Sequence, residues 1–348
     1  MRMTLRVALG ISTALLVTSA AQANKAQLIP IIPFPNASST SVFGIADDNN
    51  TITGSYVSND DGLTHGFYGT LDGNYTSYDF PGGPDTQARG INGTGRLITG
   101  FSNITATHCE FIEWQYNVNT GRSEQITKNE VPVFGIVMGI NRDTFAGDYC
   151  TDDGVIHGQL GARYKWQSDV TTPFDSPYTG ERAVNKDSTV VGFYVDPNTG
   201  LQIGTVVAKD GTTSTFTYPS DTQQYTVFEG LNNKHLSAGQ WGDSNGIVHS
   251  FTYNLKTGNV AEIDDPNAAS FTQAWGVNAN GLVAVTSDAG AYIYCKNTNC
   301  PSTGLKAIVL NDHTSTAPLK RLVSYGDIKH GKGHAPIKQV LPKGAAIQ

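Results

Sequence analysis

The sequence predicts an all-β protein: a six-bladed β-propeller of four-stranded repeats about 46 residues long, its ring closed by an N-terminal strand. Three observations lead there. Similar strings begin at Gly44, Gly90, Gly139, Ala183, Gly230 and Gly276, so successive starts lie 46, 49, 44, 47 and 46 residues apart. Between them, short apolar or alternating runs are punctuated by Gly, Asn and Asp, with almost no helical periodicity. Finally, 38 Gly and 29 Phe plus Tyr accompany only 15% charged residues, while 39% apolar residues suffice to fill cores between stacked sheets.

Taken in order, the chain opens with Arg2 and Arg6, an uncharged run from Val7 to Val17, and Ala21-Gln22-Ala23. A basic start, a short apolar stretch and small residues at −3 and −1 make residues 1–23 a secretory signal, too short for a bilayer-spanning anchor. The expected location is therefore extracellular or periplasmic, with no membrane span. Leu28 to Phe34 reads as an extra fourth-type strand, because Phe34-Pro35 precedes Gly44 as Phe80-Pro81 precedes Gly90. Paired with the last repeat, it would close the ring and remove exposed edges.

Within a repeat, Ala88 to Asn92 and Leu97 to Phe101 form a first hairpin around Gly93-Thr94-Gly95. His65 to Leu71 and Tyr75 to Phe80 form a second, around Asp72-Gly73, a turn echoed at Thr120-Gly121, Asp210-Gly211 and Thr257-Gly258. The longer connections, such as Val57 to Thr64 and Pro81 to Thr86, then fall together on the opposite face, where binding residues are expected. Periodicity does not decide whether the Gly-Ile-Asn strand lies innermost or second. The propeller is expected over residues 24–314, and residues 315–348, with Lys320, Arg321, Lys329, Lys332, Lys338 and Lys343 against one Asp327, as a basic, flexible tail.

Four cysteines in an exported chain suggest two disulfides. Cys295 and Cys300 flank a turn-rich stretch, while Cys109 and Cys150 fall where neighbouring blades could meet. Neither pair has zinc-ligand spacing, and no metal or cofactor is expected. Losing Arg2 and Arg6 would take the net charge from −7 to −9, which disfavours nucleic acid as a partner. A monomer is expected.

The pattern Gly90-Ile91-Asn92, Ile98-Thr99-Gly100 and His65-Gly66-Phe67, with echoes at His157-Gly158-Gln159 and His249-Ser250-Phe251, resembles the HAF-type extracellular repeats of bacterial secreted proteins. The resemblance runs from about Phe34 to Leu310 and implies a secreted, propeller-like protein. It brings no catalytic residues. The His is absent from the fourth and sixth repeats, where Ile203 and Ala289 stand nearby, and the second has a displaced His108.

His65, His157 and His249 lie 92 residues apart, on alternate blades, where a shared metal is conceivable; placed at the start of third strands, they are expected to bond their own loops instead. Asp60, Asp61, Asp152 and Asp153 sit in loops resembling the sialidase-type aspartate box. Their expected role is turn capping; calcium is an alternative that lacks a full ligand spacing. Gly242-Asp243-Ser244-Asn245-Gly246 matches a nucleophile-elbow string but joins two strands rather than a strand and a helix. Tyr56, Phe101, Tyr149, Tyr194 and Trp241 share one repeat position and read first as packing between blades. Arg89, Arg182 and Trp275 break the repeat symmetry around the Gly-Ile-Asn strand and, with Trp241, are the candidate ligand-binding residues. The function expected is binding of a glycan or cell-envelope component on the long-loop face. A polysaccharide lyase or glycoside hydrolase at the axis, and a protein-interaction scaffold, are the alternatives.

Overall fold

The structure, a computed structural model, describes residues 25–102, 108–151, 154–170, 176, 178–223, 225–296, 300–310 and 323–324. The expected signal segment and most of the expected tail lie outside them. Six antiparallel sheets follow one another around an axis as a six-bladed propeller. The only helical piece among the described residues is a single 3-10 turn, His108–Glu110.

The Gly-Ile-Asn strand is innermost. Ala37–Ile45, Gln87–Ile91, Gly135–Asn141, Thr179–Val184, Thr226–Leu231 and Thr272–Val277 pack on one another at the axis, each backed by the second strand of its blade. Small residues at one level allow that approach: a Cβ on Gly90 would lie 2.5 Å from the Met138 carbonyl oxygen, and one on Gly276 2.7 Å from that of Phe43. Every inner strand also carries a β-bulge at this level, opposite the second-strand residues Gly54, Gly100, Gly147, Gly192, Gly239 and, in blade 6, Val285. The bulge explains the hydrophobic-x-Gly motif. A Cβ on Gly54, Gly100, Gly147, Gly192 or Gly239 would collide with an inner-strand carbonyl.

The Asn of Gly-Ile-Asn does two jobs. Asn232 Oδ1 accepts from the Lys234 and Leu236 amides at 2.9 and 3.0 Å, fixing its own hairpin, while Nδ2 donates to the Asn278 carbonyl of the next blade at 2.8 Å. Asn278 repeats this, donating to the Ala46 carbonyl at 2.9 Å, and Asn92 donates to that of Arg142 at 2.7 Å. The motif thus staples blades together along the tight-turn face. Asn232→Ala is expected to cost about 2 kcal/mol, since it strands buried backbone groups; a shift in the urea midpoint checks it. The outer-turn glycines adopt the positive φ expected of them, +90° at Gly73 and +84° at Gly211.

The N-terminal strand closes the ring. Gln27–Pro30 pairs antiparallel with Gly290–Cys295 as the fourth strand of blade 6, and its other edge pairs with Ile308–Val309. Leu28 and Ile29 are 0% and 2% exposed. The chain therefore crosses over its own beginning, and the Cys295–Cys300 disulfide stands at the start of that crossover. Cys109–Cys150 joins the long loops of blades 2 and 3. Within the expected tail, Val323–Ser324 pairs with the outer strand of blade 4, Thr213–Phe216.

The aromatic column fills the blade interiors. Tyr56, Phe101, Tyr149, Tyr194 and Trp241 are all buried; Tyr56 stacks on Phe34 at 3.7 Å between ring centroids, and Trp241 on Tyr218 at 4.6 Å.

Candidate functional site

Because each inner strand bulges at the residue before its small residue, six different side chains meet at one level of the axis: Phe43, Arg89, Met138, Arg182, Glu229 and Trp275. In ring order they form an aromatic and cationic half and a charged half. The Arg89 guanidinium lies 4.1 Å from the Phe43 ring centroid, 4.6 Å from that of Trp275 and 5.5 Å from that of Phe101. Arg182 Nη1 donates to Asp148 Oδ2 at 2.8 Å, Nη2 to the Tyr178 hydroxyl at 3.4 Å, and Nε lies 3.7 Å from Glu229 Oε2. In a six-fold ring blade 2 faces blade 5, so Arg89 and Glu229 oppose one another across the axis.

Burial opposes ionisation of the axial carboxyls. Burial pushes Glu181 up to about 8, against the pull of Arg182, and raises Glu113 well above the usual carboxylate range even though Gln159 donates to it at 2.6 Å. Arg89 and Arg182 face Asp148 and Glu229. Burial raises Glu229 as well, opposed by Arg182 and then Arg89. Burial draws Arg89 down to about 9, opposed by Glu229, which leaves it charged at neutral pH. Arg182, also disfavoured by burial, ends up raised because Tyr178, Asp148 and Glu229 outweigh that cost.

At Arg89 two guanidinium nitrogens, Nε and Nη1, are buried without a hydrogen-bond partner; at Arg182 only Nε is, and it lies 3.7 Å from Glu229 Oε2. Desolvating such an ion costs several kcal/mol, which the three aromatic faces, each worth up to about 2 kcal/mol, and the attraction of Glu229 offset in place of hydrogen bonds. Beside it lies a partly open cavity of about 60 Å³, lined by Phe43, Arg89, Met138, Glu229 and Trp275, then by the small residues, then by Ile45, Ile91, Ile140, Val184, Leu231 and Val277 toward the tight turns.

At the other end of the inner strands, where the long loops enter, Phe134, Tyr178, Tyr225 and Phe271 occupy one position on four consecutive blades, each bridging to the third strand of the blade before it. Phe134 is 40% exposed and the other three are partly exposed. The Tyr225 hydroxyl donates to Gln240 Oε1 at 3.3 Å, and Gln273 Nε2 shares the same acceptor at 3.3 Å. This aromatic arc rims the long-loop end of the axis.

Of the residues expected from sequence, Arg89, Arg182 and Trp275 come together in the axial ring. Trp241 does not: it lies inside blade 5, 6% exposed, between Tyr218 and His249. Phe43, Met138 and Glu229 share the ring position but escaped notice, as did Glu113, Asp148, Glu181 and the aromatic arc. Reading the residue one before, and five before, each repeat's small residue as columns would have found the ring and the arc.

The histidines serve their own blades. His65 Nδ1 lies 2.9 Å from Asp79 and its Nε2 3.2 Å from Asp61, and His249 Nδ1 lies 2.8 Å from Asp264 while its ring stacks on Trp241 at 4.5 Å. Burial lowers His65, but Asp79 and Asp61 outweigh it; Asp264 is the main cause raising His249. His157 tilts against Tyr149 at 5.6 Å. Among the described residues no three His, Cys, Asp or Glu side chains form a group fit to hold a metal ion. Asp61 caps the loop as expected, its Oδ1 accepting from the Leu63 amide at 2.9 Å, whereas Asp60 Oδ1 accepts from Asn36 Nδ2 at 2.9 Å instead of a backbone amide; Asp152 and Asp153 lie outside the described residues. Ser244 sits in a strand-to-strand turn organised by Asp243, with no helix following.

The chain matches no family model and no curated protein. Solved structures do resemble it. A TolB-type protein of Agrobacterium tumefaciens has a TM-score of 0.50 at 13% identity, over 78% of this chain and 98% of its own. The Aleuria aurantia lectin, solved with α-methyl-L-fucoside, gives 0.47 at 12%, over 80% and 99%. A prolyl endopeptidase gives 0.47 at 14%, over 75% of this chain but only 39% of the enzyme's length. The likeness is one of fold. No helix among the described residues is long and apolar enough to cross a membrane.

Proposed function

We propose that this protein is an exported, non-enzymatic propeller that binds a glycan or another cell-envelope component on its long-loop face. One observation carries the proposal: the arc of Phe134, Tyr178, Tyr225 and Phe271 at the long-loop end of the axis, where planar apolar faces stand beside hydroxyl and amide groups. The Cys109–Cys150 link holds the neighbouring loops, which limits the ordering cost of binding. The disulfides and the HAF-type resemblance support export. Binding is favoured over catalysis because Glu113, Glu181 and Arg182, which do not line the axial cavity, are buried, at 0%, 0% and 6% exposed. General acid–base chemistry needs such groups within reach of a substrate atom.

A glycan array probed with the purified protein is expected to give reproducible hits, and the absence of any would refute the carbohydrate reading. Phe134→Ala and Phe271→Ala are each expected to weaken binding about tenfold, or about 1.4 kcal/mol. Titration of the array ligand into each variant checks this.

A further inference from the structure

The geometry points to the axial cavity as a pocket for the acetamido group of an N-acetylated sugar. Its polar walls are opposed: blade 2 contributes Arg89, which has buried N–H groups without a hydrogen-bond partner, and blade 5 contributes Glu229, whose Oε2 lies 3.7 Å from Arg182 Nε. A ligand that bridges them needs an acceptor toward Arg89 and a donor toward Glu229. An uncharged ligand also avoids bringing a further charge into this buried site. An amide has this pattern, its carbonyl accepting from Arg89 and its N–H donating to Glu229. A carboxylate would be repelled by Glu229, and an ammonium group by Arg89. The other walls at this level, Phe43, Met138 and Trp275, are apolar and suit a methyl group. The volume agrees: about 60 Å³, at roughly 10–15 Å³ per water-sized atom, holds about four such atoms, the non-hydrogen count of an acetamido group. A sugar ring does not fit and stays outside the cavity along the axis.

The sugar half of this inference takes from the reading above only that the ligand is a glycan, since the cavity runs from the ring toward the tight turns, away from the long-loop arc; the amide half rests on the cavity alone. The test is titration calorimetry with acetamide, N-acetylglucosamine, glucosamine, glucose and acetate, on the wild-type protein and on Arg89→Met and Glu229→Gln. Acetamide and N-acetylglucosamine are expected to bind and to compete, glucosamine and glucose to bind at least tenfold more weakly than N-acetylglucosamine, and acetate not to displace acetamide. Arg89→Met is expected to lose at least tenfold in acetamide affinity while its melting temperature rises, because an unpartnered buried cation has gone. Glu229→Gln retains an acceptor at lower charge and is expected to keep measurable but weaker binding. Equal binding of glucose and N-acetylglucosamine, displacement of acetamide by acetate, unchanged binding by Arg89→Met, or no binding of acetamide at all would overturn the pocket. Array hits confined to glycans without acetamido groups would sink the pocket and leave the long-loop reading standing. Acetamide binding without any array hit would do the reverse.

Discussion

Deleting residues through Pro30 is expected to leave a protein without a cooperative unfolding transition. The lost strand is paired along both edges, to Gly290–Cys295 and to Ile308–Val309, and it carries Leu28 and Ile29, which are 0% and 2% exposed. Emptying one such aliphatic site costs about 2–5 kcal/mol, and a whole domain is stable by only about 5–15 kcal/mol. Removing two of them, along with the strand's hydrogen bonds and the seal between the first and last blades, consumes that margin. Urea titration followed by near-ultraviolet circular dichroism is the check; a sharp transition at the wild-type midpoint would contradict it. The milder Leu28→Ala is expected to keep the transition and lower its midpoint.

Glu181→Gln is expected to stabilise the protein increasingly as the pH rises. The Glu181 carboxyl is held at about 8 in the folded ring, against about 4.5 for a free glutamate. A carboxyl whose folded value is raised binds more protons folded than unfolded across that interval, so stability falls as pH climbs from 4.5 to 8 and then levels off. The slope is about 1.4 kcal/mol per pH unit for a single such group. Gln is isosteric with the neutral acid and carries no proton to lose. The variant should therefore match the wild type near pH 5 and exceed it by a few kcal/mol near pH 8. Glu113, raised in the same direction, adds to the wild-type decline and is untouched by the substitution. The raised His65 and His249 act with the same sign: their contribution is complete below about 6.5 and fades as pH rises through their folded values. Equilibrium denaturation at pH 5, 7 and 9 tests the prediction, and a wild-type stability that does not decline between 5 and 8 would contradict it.

The fold was legible because the repeats spell out steric requirements. Gly54, Gly100 and their counterparts leave room for a bulge, Gly90 and Gly276 let inner strands touch, and Asn232 and Asn278 bond both inside and between blades. Such constraints recur in every blade and so show as periodicity. The phase was not legible, because first and second strands are both short apolar runs with glycine. The site was half legible for the opposite reason. Arg89, Arg182 and Trp275 stood out as departures from the repeat, whereas Phe43, Met138 and Glu229 carry no such mark in the sequence. Only the axis makes those six side chains neighbours. Trp241 shows the converse: a conspicuous residue that recurs in register, as Tyr56 and Tyr149 do, marks packing.

The overlap of the chain's two ends also sets an order of events during biogenesis. Leu28 finds its partner Tyr294 only after all the intervening blades have been made. Until then the first-synthesised segment has no place to dock, and the nascent protein is an open crescent with a bare edge at each extremity. The ring acquires its full resistance to proteases in one late step, when the final blade arrives.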